Sequence, residues 1–143
     1  MLPLPPSANH SHVQVRRGKR LMRILSPEAR AYRTEAGWLA LKWRRETGWE
    51  IPSRRSKVIM RVWFYWPDKR RRDQDNPLKQ LQDSLTDVLW EDDRQVLPRV
   101  MDFAVDKHQP RVEIELEVMG EGDSGGRADK RDRNRDARAE RRA

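Results

Sequence analysis

The sequence predicts an α+β domain in which a mixed β-sheet carries two packed helices, in the order roughly β-β-α-β-α-β-β. Three observations carry that reading. Residues 58–66 form an apolar run with the alternation of a strand, and residues 112–118 alternate apolar side chains with glutamates. Two further segments, opening at Ser26 and near Asp75, show helical spacing behind a polar capping residue and a proline. A chain of 143 residues can bury one core but not two, so a single domain is expected.

Each element has its own signal. The stretch up to Leu25 suggests a short strand at Leu2 to Leu4 and another at Arg23 to Leu25. In Ser26-Pro27-Glu28, serine is the expected N-cap and proline sits where a helix tolerates a missing N–H. Tyr32, Ala36, Leu39 and Trp43 then recur on one helical stripe, which should stop near Gly48. Val58, Met60, Val62, Phe64 and Trp66 alternate with Ile59, Trp63 and Tyr65, so this strand is apolar on both faces and is expected to be central. Pro67 ends it. Asp75 or Asn76 can cap a second helix with Pro77 at its first position and a stripe of Leu78, Leu81, Leu85 and Val88. Two strands close the domain: Pro98 to Asp106, with Met101, Phe103 and Val105 on one face, and Val112 to Val118. The turn His108-Gln109-Pro110 suggests that they form a hairpin. By spacing, Trp38, Trp43, Trp63 and Trp66 read as core, and Trp90 as packing beneath the acids that follow it.

From about Gly120 apolar periodicity disappears, and a segment of mainly Gly, Asp, Arg and Ala cannot bury enough surface to order itself. The expected division is a domain over residues 1–120 and a disordered tail over 121–143. The chain carries a net charge of +8, of which the tail holds only +2, so the basic character belongs mostly to the domain. A sequence pI near 10.4 favours a polyanionic partner, nucleic acid foremost. The absence of cysteine excludes disulfides and thiolate metal sites. His10, His12 and His108 are then expected to be ordinary surface histidines rather than zinc ligands. No apolar run approaches the length of a membrane span and the N-terminus has no leader-like pattern, so a soluble, cytoplasmic protein is expected.

The most telling stretch is Lys69-Arg70-Arg71-Arg72-Asp73-Gln74-Asp75-Asn76-Pro77-Leu78-Lys79. Carboxylates this close repel one another, a cost commonly offset by a divalent cation that takes oxygen ligands. The cations just before them suit phosphate oxygens, arginine best because its fork binds two at once. A further acidic group, Glu91-Asp92-Asp93, follows the second helix, and acids at two ends of a short helix are candidates for one shared pocket. The residues alone point to a Mg²⁺-dependent nuclease. They also admit a plainer reading in which Asp73 and Asp75 shape a turn and cap a helix, Glu91 to Asp93 form an exposed turn, and Lys79 makes a surface ion pair with Asp75 or Asp83.

The segments Pro5 to His10, Ser26 to Arg33, Asp68 to Lys79 and Trp90 to Val96 together resemble the RusA-type Holliday junction resolvases, and the similarity runs through residues 1–120. That family consists of small phage and prophage endodeoxyribonucleases that cut four-way DNA junctions as Mg²⁺-dependent homodimers. The resemblance implies that Asp73, Asp75 and Asp93 are catalytic, metal-holding carboxylates, with Asp92 as the alternate, and that Lys79 is the catalytic-site lysine. It implies Mg²⁺, with Mn²⁺ as a substitute, no small-molecule cofactor and no membrane partner, and a role in DNA recombination and repair. Lys69, Arg70, Arg71 and Arg72 are expected to contact DNA, as are Arg16, Arg17, Lys19 and Arg20, read as a mobile loop around Gly18. Pro77 departs from the family, where a nonpolar residue other than proline is expected, and the tail is not part of its pattern. The alternative to a nuclease is a non-catalytic DNA-binding module that uses the same basic loops on the backbone.

Overall fold

A computed structural model describes residues 1–7 and 10–120; the expected tail lies outside them, as do Ala8 and Asn9. The elements are β1 (His12–Arg17), β2 (Arg20–Leu25), α1 (Pro27–Thr47), β3 (Lys57–Trp66), α2 (Asp75–Leu85), β4 (Val96–Val105) and β5 (Arg111–Met119). The α+β class and the β-β-α-β-α-β-β order are as read from the sequence. β3 is the central strand of a mixed three-stranded sheet, parallel to β4 on one edge and antiparallel to β5 on the other.

Two expectations about strand pairing are corrected. β4 and β5 do not form a hairpin, because β3 lies between them. The β3–α2–β4 crossover sends β4 back parallel to β3, and the His108-Gln109-Pro110 segment then spans to the opposite edge. The first strand is not at Leu2 to Leu4, where Leu2 makes one isolated bridge to Val112. Instead β1 and β2 form a separate antiparallel hairpin, with Val13 opposite Ile24 and Val15 opposite Met22. Its two-residue turn has Gly18 at φ 60° while Lys19 keeps a negative φ, the geometry of a type II′ turn in which glycine meets no Cβ penalty. The stretch expected to be a mobile basic loop is therefore the tip of a hairpin.

α1 begins and ends as its sequence signals require. Ser26 Oγ accepts the Ala29 N–H at 3.0 Å and donates to the His10 carbonyl, joining the helix cap to the base of the hairpin. Gly48, at φ 70°, donates its N–H to the Arg44 carbonyl and stops the helix. The buried stripe is Ala29, Tyr32, Ala36 and Ala40, rotated from the expected one. Small alanines let the helix lie close to the core, which leaves Leu39 and Trp43 at its margin. Trp38, core by spacing alone, is 66% exposed. Trp43 leans on Trp49 with ring centroids 5.6 Å apart, and Trp49 donates its indole N–H to the Leu89 carbonyl.

The core is one face of β3 (Val58, Met60, Val62, Phe64, Trp66) against Leu81 and Leu85 of α2, Leu89, Trp90, Val96 and Val112. On the opposite face Ile59 is buried, whereas Trp63 and Tyr65 are half-buried, so the expectation of two apolar faces holds only in part. There Arg61 pairs with Glu115 and Glu117 of β5, and Arg111 lies over the Tyr65 ring while binding Asp106 and Glu113. These pairs cover β3 with side-chain stems and charge rather than with a second apolar layer. Met101, Phe103 and Val105 of β4 are exposed. No helix among the described residues is long and apolar enough to cross a membrane.

Trp90 is fully buried, with its indole N–H on Thr86 Oγ1 at 3.1 Å. Trp90→Ala is therefore expected to lower stability by about 3–5 kcal/mol, whereas Trp38→Ala should stay within about 0.5 kcal/mol of wild type. Urea denaturation of both variants measures the contrast; equal losses would return Trp38 to the core.

Candidate active site

The stretch from Asp68 to Lys79 begins where β3 ends and runs into the first turns of α2. Asp68 organises it. Its carboxylate accepts the Arg70 backbone N–H at 3.0 Å and the Arg72 guanidinium at 2.6 Å, and those bonds hold its pKa below the ordinary aspartate value. Arg72 also donates to the Asp68 and Arg70 carbonyls and stacks over the Trp66 ring at 4.8 Å. Trp66 in turn stacks on the buried Phe64, with centroids 5.1 Å apart. Arg72 thus anchors the loop to the core, while Lys69, Arg70 and Arg71 remain exposed. In the sequence the four cations look alike; the signal that separates Arg72 is its spacing of four residues from Asp68.

The two acids that follow are held differently. Asp73 Oδ1 accepts the Asp75 N–H at 3.0 Å, and its Oδ2 accepts Asn76 Nδ2 at 2.8 Å. Asp73 therefore satisfies one of the orphan backbone donors at the start of α2, a task expected of Asp75 or Asn76. Asp75 is the first helical residue and stays exposed, and Pro77 falls on the third residue, where an N–H has no intrahelical partner to lose. Lys79 is exposed one turn beyond Asp75, so the two side chains share a helix face.

Asp73 and Asn76 line a cleft of about 470 Å³ whose far wall is the N-terminal segment Leu4, Pro5 and Ser7. The sequence expectations do not include that wall. It is fixed by three contacts: Leu2 pairs with Val112, Tyr32 Oη donates to the Pro3 carbonyl at 2.9 Å, and Gln80 Nε2 donates to the Pro6 carbonyl at 2.9 Å. Burial pushes the Tyr32 phenol pKa up, which keeps it a neutral donor. The prolines at Pro3, Pro5 and Pro6 are the available signal, since they stiffen a strap that has few donors of its own.

The other acids stand elsewhere. Gln95 is buried, accepts the Glu91 and Asp92 N–H groups on Oε1, and donates Nε2 to the Ser53 and Ser56 carbonyls. These bonds pin the Glu91–Asp93 turn to the loop that enters β3. Asp92 caps a short 3₁₀ turn through the Arg94 N–H, a bond that holds its carboxyl below the usual range, and Glu91 is paired with Arg54 at 2.7 Å. Asp93 is left exposed. The turn therefore sits at the start of β3 and the Asp73–Asp75 loop beyond its end, separated by a ten-residue strand of about 33 Å. The acids do not converge within one copy, and no group of three metal-ligating side chains occurs among the described residues.

Arg16, Arg17, Lys19 and Arg20 gather at the tip of the β1–β2 hairpin, an exposed basic arm. His10 Nδ1 and His12 Nδ1 lie 3.1 and 2.9 Å from the hydroxyls of Ser7 and Ser11.

The family described as Endodeoxyribonuclease RusA matches residues 3–117. The chain is 35% identical over 121 residues to the crossover junction endodeoxyribonuclease RusA of Escherichia coli K12, across 83% of this chain and 92% of the relative. The proteins of that name from Shigella sonnei and Enterobacteria phage 82 match at the same identity and coverage. The matched span takes in the Asp68–Lys79 loop, the Gln95-pinned turn and both helices, and with those elements in place the chain belongs to the RusA endodeoxyribonuclease family.

Proposed function

We propose that the chain is a Mg²⁺-dependent endodeoxyribonuclease that acts as a homodimer on four-way DNA junctions, with a role in DNA recombination and repair. The observation that carries this reading is the pair Asp73 and Asp75, presented beside exposed cations on a loop braced by Asp68 and Arg72, in a chain whose relatives are named crossover junction endodeoxyribonucleases.

The donors suit a hard divalent cation: two carboxylates two residues apart, with only Gln74 between them. Asp73 and Asp75 would hold it from one side, and Mn²⁺ meets the same requirements. When bound, the ion would polarise the scissile phosphate and activate a water for attack. One chain supplies only two of the three expected acids at this place, and the third, Asp93, lies at the other end of β3. Completing the site from the Asp93 turn of a second copy gives the homodimer a chemical reason, and two such sites related by a two-fold axis match the approximate symmetry of a four-way junction.

The chain's own groups perform the remaining tasks. Asn76, donating to Asp73, fixes that carboxylate's orientation. Lys79 places its ammonium on the same helix face and offsets charge that builds on the phosphate in the transition state. Lys69, Arg70 and Arg71 bind phosphate oxygens of the cut strand, and the hairpin cations Arg16, Arg17, Lys19 and Arg20 bind backbone further along an arm. Residues beyond Gly120 act as an appendage to this domain, in keeping with a family match that ends at residue 117.

Asp73→Asn, Asp75→Asn and Asp93→Asn are each expected to abolish Mg²⁺-dependent cleavage of a synthetic four-way junction while junction binding holds or tightens, because removing a negative charge lowers repulsion of phosphate. Wild-type turnover by any of the three removes that residue from the metal site. Binding without cleavage by the wild-type chain would leave only a DNA-binding module.

Replacing Arg70 and Arg71 by Ala should weaken binding and lower the slope of log K against log[salt] by roughly 0.9 for each phosphate that is no longer neutralised. A salt titration that leaves the slope unchanged places both away from DNA. A chain ended at Gly120 should keep its melting temperature, its mass and its junction selectivity, with a modest loss of affinity only; a large drop in melting temperature would assign the tail a part in the fold.

A further inference from the structure

Helix α1 turns one face to the core and leaves a crest on its outer side that the fold does not use. Arg30, Thr34, Trp38, Leu41 and Arg45 recur every three or four residues along it, opposite the buried stripe of Ala29, Tyr32, Ala36 and Ala40. Trp38 stands at the middle of this crest and is 66% exposed. Among the described residues no ring stacks on it and no guanidinium lies over it, in contrast to Trp43 and Trp66. A lone exposed apolar side chain is ordinary on a protein surface. What sets Trp38 apart is the charge around it.

Two observations identify what the crest meets. The first is that charge. Arg30, Arg33 and Arg45 are exposed, and none of them joins an ion pair among the described residues. Arg30 and Arg45 stand on the crest itself, about 10–12 Å along the axis on either side of Trp38. The acids of the helix, Glu28, Glu35 and Glu46, keep to one flank, where Glu46 meets Lys42 at 3.8 Å. A bare indole between two unpaired guanidiniums combines a stacking surface with anchors for phosphate, the means by which single strands are held. Bases within a duplex already have both faces stacked, so only an unpaired base can use the ring. The second observation is position. Ser26 ties the start of α1 to the His10 carbonyl at the base of the basic hairpin, and Tyr32 ties its second turn to the Pro3 carbonyl of the strap beside the Asp73 cleft. The crest therefore begins beside the surfaces assigned above to DNA and extends them.

We propose that the outer crest of α1 binds single-stranded DNA, with an unpaired base stacked on Trp38 and the flanking phosphates on Arg30 and Arg45. The site is tolerant of sequence, because every base offers a π-face to an indole. It rests on the nuclease reading only for DNA as the partner, since stacking and phosphate contacts need neither the metal nor the acids. Strands that lose their pairing around a junction supply such bases.

The test uses the full chain in EDTA, where no metal-dependent cleavage occurs, and reads the fluorescence anisotropy of labelled strands. Wild type is expected to bind an oligo-dT of about 12 nucleotides more tightly than an abasic strand of the same length. Trp38→Ala should lose roughly tenfold in affinity for oligo-dT and little for the abasic strand, with unchanged far-ultraviolet circular dichroism. Trp38→Phe should recover most of that loss, because a phenyl ring still stacks. Arg30→Ala and Arg45→Ala should each lower the slope of log K against log[salt] by about 0.7. Equal binding of the two strands by wild type, equal binding of oligo-dT by wild type and Trp38→Ala, or a Trp38→Ala loss as large on the abasic strand overturns the proposal. Junction cleavage in Mg²⁺, measured separately, keeps the two readings apart. Trp38-dependent binding by a chain that cuts nothing supports the site and rejects the nuclease, whereas an active nuclease whose oligo-dT binding ignores Trp38 rejects the site alone.

Discussion

The parallel pairing of β3 with β4 constrains everything else in this molecule. Once α2 carries the chain back to start β4 beside the start of β3, the loop that leaves β3 and the turn that enters β4 must lie at opposite ends of the sheet. The basic loop with Asp73 and Asp75 occupies one end and the Asp93 turn the other. β5 completes the second edge of β3 and receives the N-terminal strap through Leu2 and Val112. The same topology that buries a row of five side chains on β3 also divides the acids, and that division is the physical reason for proposing a site completed by a second copy.

Each half is built by side chains that are not themselves candidates for chemistry. Asp68 and Arg72 fold the basic loop and dock it on Trp66, so the exposed arginines start from a preset geometry. Gln95 does the equivalent work at the other end, satisfying two backbone donors and two carbonyls from a buried position. Such fully bonded buried polar groups are costly to disrupt and specify one local conformation. They hold the turn from Glu91 to Val96 in one conformation: the buried glutamine fixes the backbone that presents Asp93.

Much of this is legible in the sequence, for local reasons. The Ser26-Pro27 start and the Gly48 stop of α1 depend on backbone groups within a turn, and the alternation along residues 58–66 marks a strand wherever it is placed. What is not legible depends on distant partners. The His108 to Pro110 turn fits a hairpin as well as a crossing to the far edge of β3, because turn residues report direction change and not destination. The stripe of α1 is misjudged by spacing because alanine gives a weak burial signal beside tryptophan, although close helix packing favours the smaller side chain. The β1–β2 hairpin is hidden because its alternation is crowded with arginine, and Gly18 suggests flexibility as readily as the positive φ of a tight turn. In the site, the pair Asp73 and Asp75 is visible as charge crowding; the separation of Asp93 is not, since spacing along the chain carries no information on the sense of β4.

The central claim, that each active site draws acids from two copies, is tested most directly by mixing inactive chains. Asp73→Asn and Asp93→Asn proteins, each unable to cut a junction alone, would be combined under conditions that exchange subunits. A mixed dimer then has one site that lacks both acids and one that is intact, so about half of the dimers regain a single working site and the mixture should nick one strand of the junction. Asp73→Asn mixed with Asp75→Asn should regain nothing, because both residues belong to the same half. A mixture of Asp73→Asn and Asp93→Asn chains that exchanges subunits and still fails to cut would contradict the account and place all three acids in a site formed by one copy.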